Sequence, residues 1–386
     1  MLGPQSTLFF VVLVAMFAGL VWWLMKAKHV AVRVVCAFLA FIPAMAFGVA
    51  AVNKYYDYYQ TWDAAVSDLT NQGPQTASGP NAAARPGVQF GMFLGQTIDT
   101  GLAAEQGFTL RLTVPGRLSG LHRRVYVYLP PQYFQPAYQH YRFPSIELIH
   151  GFPGNPQDWI TVLSVNSTLN SMVSEHLAKP AVLVMPDANG ALGVSLQCLN
   201  QSHGPQDDTY LSKDVPDYLS ASLRIQPPGS GWGIAGYSEG GFCAANFGLQ
   251  HGRIYSYAGV LSGYFRPSDN QFAHPMRMVS AFTTARQAQE NTPLDLVQSM
   301  PARQPIAQFW IGTGGLDGND VRSSEDFRQL LELRQPDVVL KVVPKGGHTM
   351  YTWRTLLPQM LAWMTPRLTS EAQAAGSGPP AGGAGR

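Results

Sequence analysis

Six short, mostly apolar runs, separated by helix-like or loop-like sequence, recur from residue 145 onward. They are SIELIH (145–150), AVLVMP (181–186), WGIAG (232–236), YAGVLSG (257–263), IAQFWIG (306–312) and VVLKVVP (338–344). Strands this apolar are buried on both faces, as in a parallel sheet that helices cover. Two alternating segments before them, FTLRLTV (108–114) and RVYVYL (124–129), indicate an antiparallel start. The sequence therefore predicts an α/β fold with a mostly parallel sheet and helices on both faces.

Two long uncharged runs lie near the N-terminus, at residues 8–25 and 34–52. A helix rises about 1.5 Å per residue, so each run is long enough to cross a hydrocarbon layer of about 30 Å. We expect two transmembrane helices that form a hairpin within residues 1–53. A buried core hairpin and a cleaved signal sequence, with Ala44–Ala46 as the cleavage site, are the alternatives.

The charges between the two runs predict the orientation of this hairpin. Lys26, Lys28 and Arg33 lie in the connection, whereas the other flanks carry only Lys54. The positive-inside rule places such a connection in the cytoplasm. We therefore expect a multi-pass cell-membrane protein whose large domain is extracytoplasmic.

Composition divides the remainder of the chain into three parts. Residues 54–87 begin with YYDYYQTW, which suits an aromatic belt at the membrane interface, and continue as a Gly/Pro-rich linker. Residues 88–369 contain the strand-like and helix-like segments and form the globular domain. Residues 370–386 are rich in Ala and Gly, and we expect them to be disordered.

Charge and cysteine content limit the partners. Charged residues make up 13% of the chain and the net charge is +2, so nucleic acid is not an expected partner. The cysteines are few and no pair of histidines has ligand spacing, so we expect no metal and no cofactor. Cys198 and Cys243 lie in the predicted outer domain, where they can form a disulfide or remain buried free thiols. The sequence leaves that pairing, and the oligomeric state, open.

The stretch WGIAGYSEGGFCAANFG (232–248) places Ser238 between two glycines, after an apolar strand and before a helix. A serine on a sharp strand-to-helix turn needs neighbours without a Cβ atom. Such a turn exposes the hydroxyl and leaves the amide of Glu239 at a helix N-terminus, where it can bind a developing oxyanion. An ordinary Ser-Gly turn gives the same pattern, so the rest of the sequence must decide whether Ser238 is a nucleophile.

The other members of a serine-based site follow in the chain order serine, acid, histidine. His348 comes directly after the last apolar run and is the predicted general base. The loop FWIGTGGLDGND supplies two carboxylates, Asp317 and Asp320. We prefer Asp317 as the acid because it is nearer the strand end, and Asp320 remains the alternative.

A second oxyanion donor is expected after the run at 145–150, in the sequence ELIHGFPGNPQDW (147–159). The amide of Phe152 is the candidate, with His150 as framework for its loop. Further along, an insertion at 265–301 can shape an acyl pocket. Its residues Phe272, Met276 and Met278 either line that pocket or pack locally.

Several motifs together resemble the esterase-D-like branch of the α/β hydrolases, which includes S-formylglutathione hydrolases and secreted bacterial mycolyltransferases. They are RVYVYLPPQY, HGFPGNPQDW, DTYLSKDVPDYL, WGIAGYSEGGFCA, GVLSGYFRP, GTGGLD and GGHTMYTWRTLLPQML, and the resemblance covers roughly residues 108–368. The resemblance implies an α/β-hydrolase fold and a serine esterase or acyltransferase. It also implies that Ser238, Asp317 and His348 match the family triad.

The expected function is a serine esterase that hydrolyses carboxylic (acyl) esters, with a small-molecule ester or an acyl lipid as substrate. The alternative is an acyltransferase of the mycolyltransferase type, which moves an acyl chain onto an envelope sugar or lipid. The similar mycolyltransferases generally use a glutamate as the acid and are released by signal cleavage, so Asp317 and the predicted anchor favour the esterase. A non-catalytic, membrane-tethered binding domain is the third hypothesis.

Overall fold

The computed structural model describes residues 3–70, 90–190, 195–201, 203–229, 231–266 and 289–374. The predicted linker from residue 71 onward and the three residues Phe272, Met276 and Met278 lie outside the described residues. The chain divides into a small, mainly N-terminal unit, which consists of Met1–Gly73 and Thr349–Tyr351, and a larger unit that contains the sheet.

The N-terminal unit is helical. Its helices are α1 (Thr7–Lys26), α2 (Val30–Tyr56) and α3 (Trp62–Leu69). Only 6% and 22% of the apolar windows of α1 and α2 are buried, which disfavours the interpretation as a core hairpin. By length and composition the two helices suit a membrane anchor or a signal sequence.

The helix ends in this unit differ from the sequence prediction. Helix α2 extends four residues beyond each end of the predicted span 34–52, because Arg33 and Asn53, which bound that apolar run, can both continue a helix. Helix α3 lies inside the segment predicted as interface and linker, where the Thr61 hydroxyl caps it by accepting from the amide of Ala64 (3.2 Å). That segment is therefore partly helical.

The larger unit contains an eight-stranded sheet and a separate two-stranded hairpin. The hairpin strands, which the sequence analysis did not predict, are β1 (Phe90–Phe93) and β2 (Gln96–Asp99). The sheet strands are β3 (Phe108–Pro115), β4 (His122–Leu129), β5 (Ser145–Ile149), β6 (Val182–Pro186), β7 (Trp232–Tyr237), β8 (Tyr257–Leu261), β9 (Gln308–Gly314) and β10 (Val339–Val343). Their order is β10-β9-β8-β7-β5-β6-β4-β3. Strand β4 is antiparallel to β3 and β6, and the other neighbours are parallel. The predicted α/β-hydrolase fold is confirmed.

Nine α-helices of the larger unit lie within the described residues. They are α4 (Thr100–Gln106), α5 (Asp158–Thr161), α6 (Val165–Ser174), α7 (Asp207–Thr209), α8 (Val215–Ser222), α9 (Glu239–Gln250), α10 (Pro293–Ser299), α11 (Gly318–Glu332) and α12 (Met350–Ala374). Short 3₁₀ segments at Pro131–Phe134 and Pro136–Tyr138 and a π-helical turn at Tyr210–Asp214 complete the regular structure. Helix α12 continues past residue 369, so the first five residues of the predicted tail are helical.

The central strands explain how the fold positions a site. Every residue of β5, β6, β7 and β8 is buried, as expected for strands covered on both faces. The edge strand β10 is partly exposed, which agrees with Lys341 within it. Parallel strands end at the same edge of a sheet, so the loops after β5, β7, β9 and β10 converge there.

Candidate active site

Ser238 occupies a sharp turn between β7 and α9. Its φ of 55° and ψ of −119° are unusual for a residue with a side chain, and such strain is typical of functional turns. The flanking glycines are sterically required. A Cβ atom on Gly236 would lie 2.0 Å from the carbonyl oxygen of Gly240, and one on Gly240 would lie 2.0 Å from that of Ile149. The turn thus has the form that the Gly-x-Ser-x-Gly pattern predicts.

The His348 ring lies next to this serine. Its Nε2 atom is 2.9 Å from the Oγ atom of Ser238. The loop between β10 and α12 carries His348, and the indole ring of Trp353 in α12 contacts it edge-on, with ring centroids 5.2 Å apart. Trp353 also packs against Tyr237, which precedes the serine (4.6 Å between centroids). The aromatic contacts therefore hold the imidazole beside the hydroxyl.

Two carboxylates lie at the other nitrogen of His348. The Oδ2 atom of Asp320 is 2.9 Å from Nδ1, and the Oδ2 atom of Asp317 is 3.3 Å from it. Asp317 caps α11, and Asp320 follows one turn later on the same side of the helix. Asp317 is the acid predicted from the sequence because it is nearer the end of the preceding strand along the chain. The first turn of α11 instead brings Asp320 closer to the ring, so the geometry favours Asp320 for the hydrogen bond.

The charges around His348 shift its protonation. Burial disfavours the imidazolium, but the carboxylates of Asp317 and Asp320 outweigh it and raise the pKa of His348 to about 9. Burial raises the pKa of Asp320 to about 6, whereas the contact with His348 lowers the pKa of Asp317. The site is therefore arranged to stabilise a positively charged imidazole.

The loop after β5 lies directly against the serine. A Cβ atom on Gly151 would lie 3.1 Å from the Cβ atom of Ser238. Within the described residues, the amides of Phe152 and Glu239 donate no backbone hydrogen bond outside their own elements. The two residues predicted as oxyanion donors follow the groups in this contact, Phe152 directly after Gly151 and Glu239 directly after Ser238.

His150 orients the peptide group that contains one of these amides. Its Nδ1 atom is 2.9 Å from the carbonyl oxygen of Gly151, and its Nε2 atom accepts a hydrogen bond from the amide of Ala188 (3.1 Å). The second bond requires a lone pair on Nε2, so Nδ1 carries the proton. Because the peptide is planar and trans, a Gly151 carbonyl directed at His150 turns the N–H group of Phe152 to the opposite side.

Asp158 is a site residue that the sequence analysis missed. It is fully buried, and its Oδ2 atom accepts from the amide of Asn155 (3.0 Å) and the hydroxyl of Tyr237 (3.2 Å). It therefore connects the loop of Phe152 to the residue before Ser238. In the sequence, Asp158 has no feature that separates it from an aspartate in the first turn of an ordinary helix.

A disulfide joins Cys198, in the loop after β6, to Cys243 in α9. Both cysteines are fully buried. The sequence left this pairing open, because it does not report the distance between the two side chains. The bond attaches the loop of residues 195–199 to the helix that begins after Ser238.

The carboxylate oxygens of Asp317 and Asp320 and a nitrogen of His348 lie within 4.8 Å of one another. Side chains of these types at this spacing can hold a metal ion. The same nitrogen and oxygens are already engaged with each other, with His348 also bonded to Ser238. A cation would therefore compete with the hydrogen bonds described above.

Two bacterial relatives are similar in sequence. An uncharacterized protein of Corynebacterium glutamicum is 24% identical over 259 residues, which are 64% of this chain and 57% of the relative. The MPT51/MPB51 antigen of Mycobacterium tuberculosis is 28% identical over 127 residues, which are 32% of this chain and 39% of the antigen. The chain thus spans less than two thirds of the length of either relative.

A solved structure supports the fold. The S-formylglutathione hydrolase of Staphylococcus aureus superposes with a TM-score of 0.52 at 19% sequence identity. The match covers 67% of this chain and 98% of the hydrolase. This likeness confirms the α/β-hydrolase fold that the sequence motifs imply.

The family is established by a match of greater extent. The sequence model of the family described as "Putative esterase" matches residues 118–364. This range includes Ser238, Asp317, Asp320 and His348, and it supports a serine hydrolase or acyl-transfer role for the domain. Because the match covers more than half of the 386 residues, the chain belongs to this esterase family.

Proposed function

We propose that the protein is a serine esterase that hydrolyses acyl esters. The observation that carries this proposal is the 2.9 Å distance from His348 Nε2 to Ser238 Oγ, on a ring whose other nitrogen bonds to a carboxylate. A nucleophile, a base and a group that orients the base are the three parts this chemistry needs. Family membership supports the same assignment.

In the acylation step, His348 Nε2 takes the proton from Ser238 as the hydroxyl oxygen attacks the ester carbonyl. The amides of Phe152 and Glu239 donate to the resulting oxyanion. The imidazolium, stabilised by Asp320 and Asp317, then gives its proton to the departing alcohol. An acyl group remains on Ser238. In the deacylation step, water attacks the acyl group, His348 takes a proton from the water, and that proton returns to Ser238 as the carboxylic acid leaves.

Acyl transfer is the second candidate function. Its first half is the same acylation of Ser238, and the hydroxyl of an envelope sugar or lipid then replaces water. The resemblance of the motifs to mycolyltransferases favours this candidate. Product analysis with a short acyl ester, with and without a sugar acceptor, separates the two. An acyl-sugar product identifies a transferase, and free acid alone identifies an esterase.

We also propose that α1 and α2 anchor the domain on the outer face of the cell membrane. Lys26, Lys28 and Arg33 between the apolar runs support a cytoplasmic connection. The disulfide is consistent with an oxidising compartment. Protease added to intact cells should cleave a tag placed after residue 70. Protection of that tag would contradict the outer location.

A fluorophosphonate probe tests the catalytic proposal. We expect the folded protein to be labelled on Ser238, and Ser238→Ala to lose both the label and hydrolysis of p-nitrophenyl acetate. Treatment with EDTA should leave both unchanged, because the proposed steps use only protein groups. Labelling that persists in Ser238→Ala would assign the nucleophile to another residue. A wild-type protein that takes up no label would favour the non-catalytic binding domain.

A further inference from the structure

Glu239 contributes more than its amide to the region around Ser238. Its side chain is 2% exposed, although it belongs to the residue directly after the proposed nucleophile. The Ser195 hydroxyl donates a hydrogen bond to its Oε2 atom. Its carboxyl group therefore points into a buried polar cluster formed with Ser195 and Asn189, which we call the Glu239 cluster.

The cluster belongs to a segment that is fixed at several points. The Asn189 side chain accepts from the amide of Leu196 (3.0 Å), and the disulfide of Cys198 follows two residues later. Gln197 and Cys198 both have a positive φ, of 51° and 53°. Residues with side chains keep such a backbone only where their surroundings hold them. The contacts of the cluster and the disulfide supply that support.

Building on the proposed function, we propose that the Glu239 side chain is a positioning group for the oxyanion hole. By bonding to Ser195 it ties the first residue of α9 to the loop of residues 195–199. Rotation of the Glu239 backbone, which would turn its N–H group away from the oxyanion, would break this bond. The substrate contact is made by the amide, and the side chain acts only through it.

The charge of the carboxyl group decides whether this arrangement helps the reaction. A negative charge beside a developing oxyanion would destabilise it. Burial raises the pKa of Glu239, against the opposing effect of the Ser195 hydrogen bond. A raised pKa shifts the carboxyl group toward its neutral form, which can keep a hydrogen bond to Ser195 without adding charge. Glutamine is a close mimic of that neutral form.

The test compares Glu239→Ala, Glu239→Gln, Ser195→Ala and the double variant Glu239→Ala/Ser195→Ala. Glu325→Ala is the matched control. Glu325 lies on α11, where it pairs with Arg328 at the surface. Fluorophosphonate titration counts the competent sites, and kcat is expressed per titrated site. The Ki of a trifluoromethyl ketone, which forms a tetrahedral adduct with serine, reports oxyanion binding.

We expect Glu239→Ala to lower kcat per site by about 10²-fold, the scale of losing one oxyanion donor, with little change in KM and a parallel rise in Ki. Glu239→Gln should retain most of the activity. Ser195→Ala should fall between them, and the double variant should be no worse than Glu239→Ala alone. Glu325→Ala should match the wild type.

Two results would overturn the inference. If Glu239→Ala lowers only the number of titrated sites and leaves kcat per site and Ki unchanged, the side chain has a structural role alone. If Glu239→Gln is as impaired as Glu239→Ala, the neutral hydrogen-bonding role is wrong. An unlabelled wild-type protein is a different result, since it refutes the proposed function itself.

Discussion

The Oδ2 atom of Asp320 lies 2.9 Å from the Nδ1 atom of His348. Asp317 approaches the same nitrogen at 3.3 Å, so the imidazole faces two carboxylates. One of them can fix the orientation of the ring while the other adds to the stabilisation of its positive charge. The two roles predict unequal effects of substitution.

Asp320→Asn should lower kcat/KM by about 10²–10³-fold, because an amide both removes charge and can hold the wrong tautomer. Asp317→Asn should cost about 10-fold, since its longer contact contributes mainly charge. Steady-state hydrolysis of p-nitrophenyl acetate measures both. Glu325→Gln, on the exposed side of α11, is the control and should be neutral. A larger loss in Asp317→Asn would reverse the assignment.

The kcat/KM of the wild-type protein should rise with pH and level off above the His348 pKa of about 9. We call this rising part of the profile the acid limb. Only the neutral imidazole can accept the proton of Ser238, and the two carboxylates stabilise the charged form. Replacing Asp317 or Asp320 by asparagine removes a negative charge, lowers the pKa of His348 and moves that limb to lower pH. A kcat/KM profile from about pH 6 to about pH 10.5 checks the direction. A limb that stays in place in both variants would show that another group controls it.

Reduction of the Cys198–Cys243 bond should destabilise the domain. The bond closes a segment with a sequence separation of 45 residues, and a native disulfide typically stabilises a protein by about 2–4 kcal/mol. Thermal unfolding with and without a reductant measures the loss as a lower Tm. The double variant Cys198→Ala/Cys243→Ala should start from a lower Tm and should not respond to the reductant. If the reductant lowers the Tm of that variant by as much as it lowers the Tm of the wild type, its effect does not come from this disulfide.

Gly151→Ala should impair catalysis strongly. The added Cβ atom would lie 2.7 Å from the ring of Tyr237 and 3.1 Å from the Cβ atom of Ser238, so the loop of Phe152 must move away from the serine. We expect about 10²-fold lower kcat per fluorophosphonate-titrated site. Gly101→Ala is the control, because its Cβ atom would meet its nearest neighbour at 3.5 Å. Full activity in Gly151→Ala would mean that the loop does not need its observed position.

The eight strands of the sheet were predictable because two patterns are strong in this sequence. Alternation of apolar and polar residues marks β3 and β4, and predominantly apolar runs mark the six strands that follow. The hairpin of β1 and β2 was not predicted, since its strands are only four residues long and carry Gly91 and the polar residues Gln96 and Thr97. Helix α3 was not predicted for a different reason. The Gly/Pro-rich sequence that follows it led us to interpret all of residues 54–87 as an interface segment and linker.

The positions of Ser238 and His348 were predictable from their places after strands. The choice between Asp317 and Asp320 depends on how the first turn of α11 lies against the loop that carries His348. The order of residues along the chain does not show this. Asp158 and the side chain of Glu239 were missed because their contacts join residues far apart in the chain, such as Asp158 with Tyr237. Long-range contacts of this kind leave no local pattern.

Strand β10 is the last strand along the chain, and this has a consequence for the order of synthesis. His348 follows this last strand and comes 110 residues after Ser238. A ribosome therefore completes the serine turn well before the imidazole exists. On the proposed mechanism, a nascent or C-terminally truncated chain would present a hydroxyl with nothing to take its proton, and could not cleave esters before translation ends.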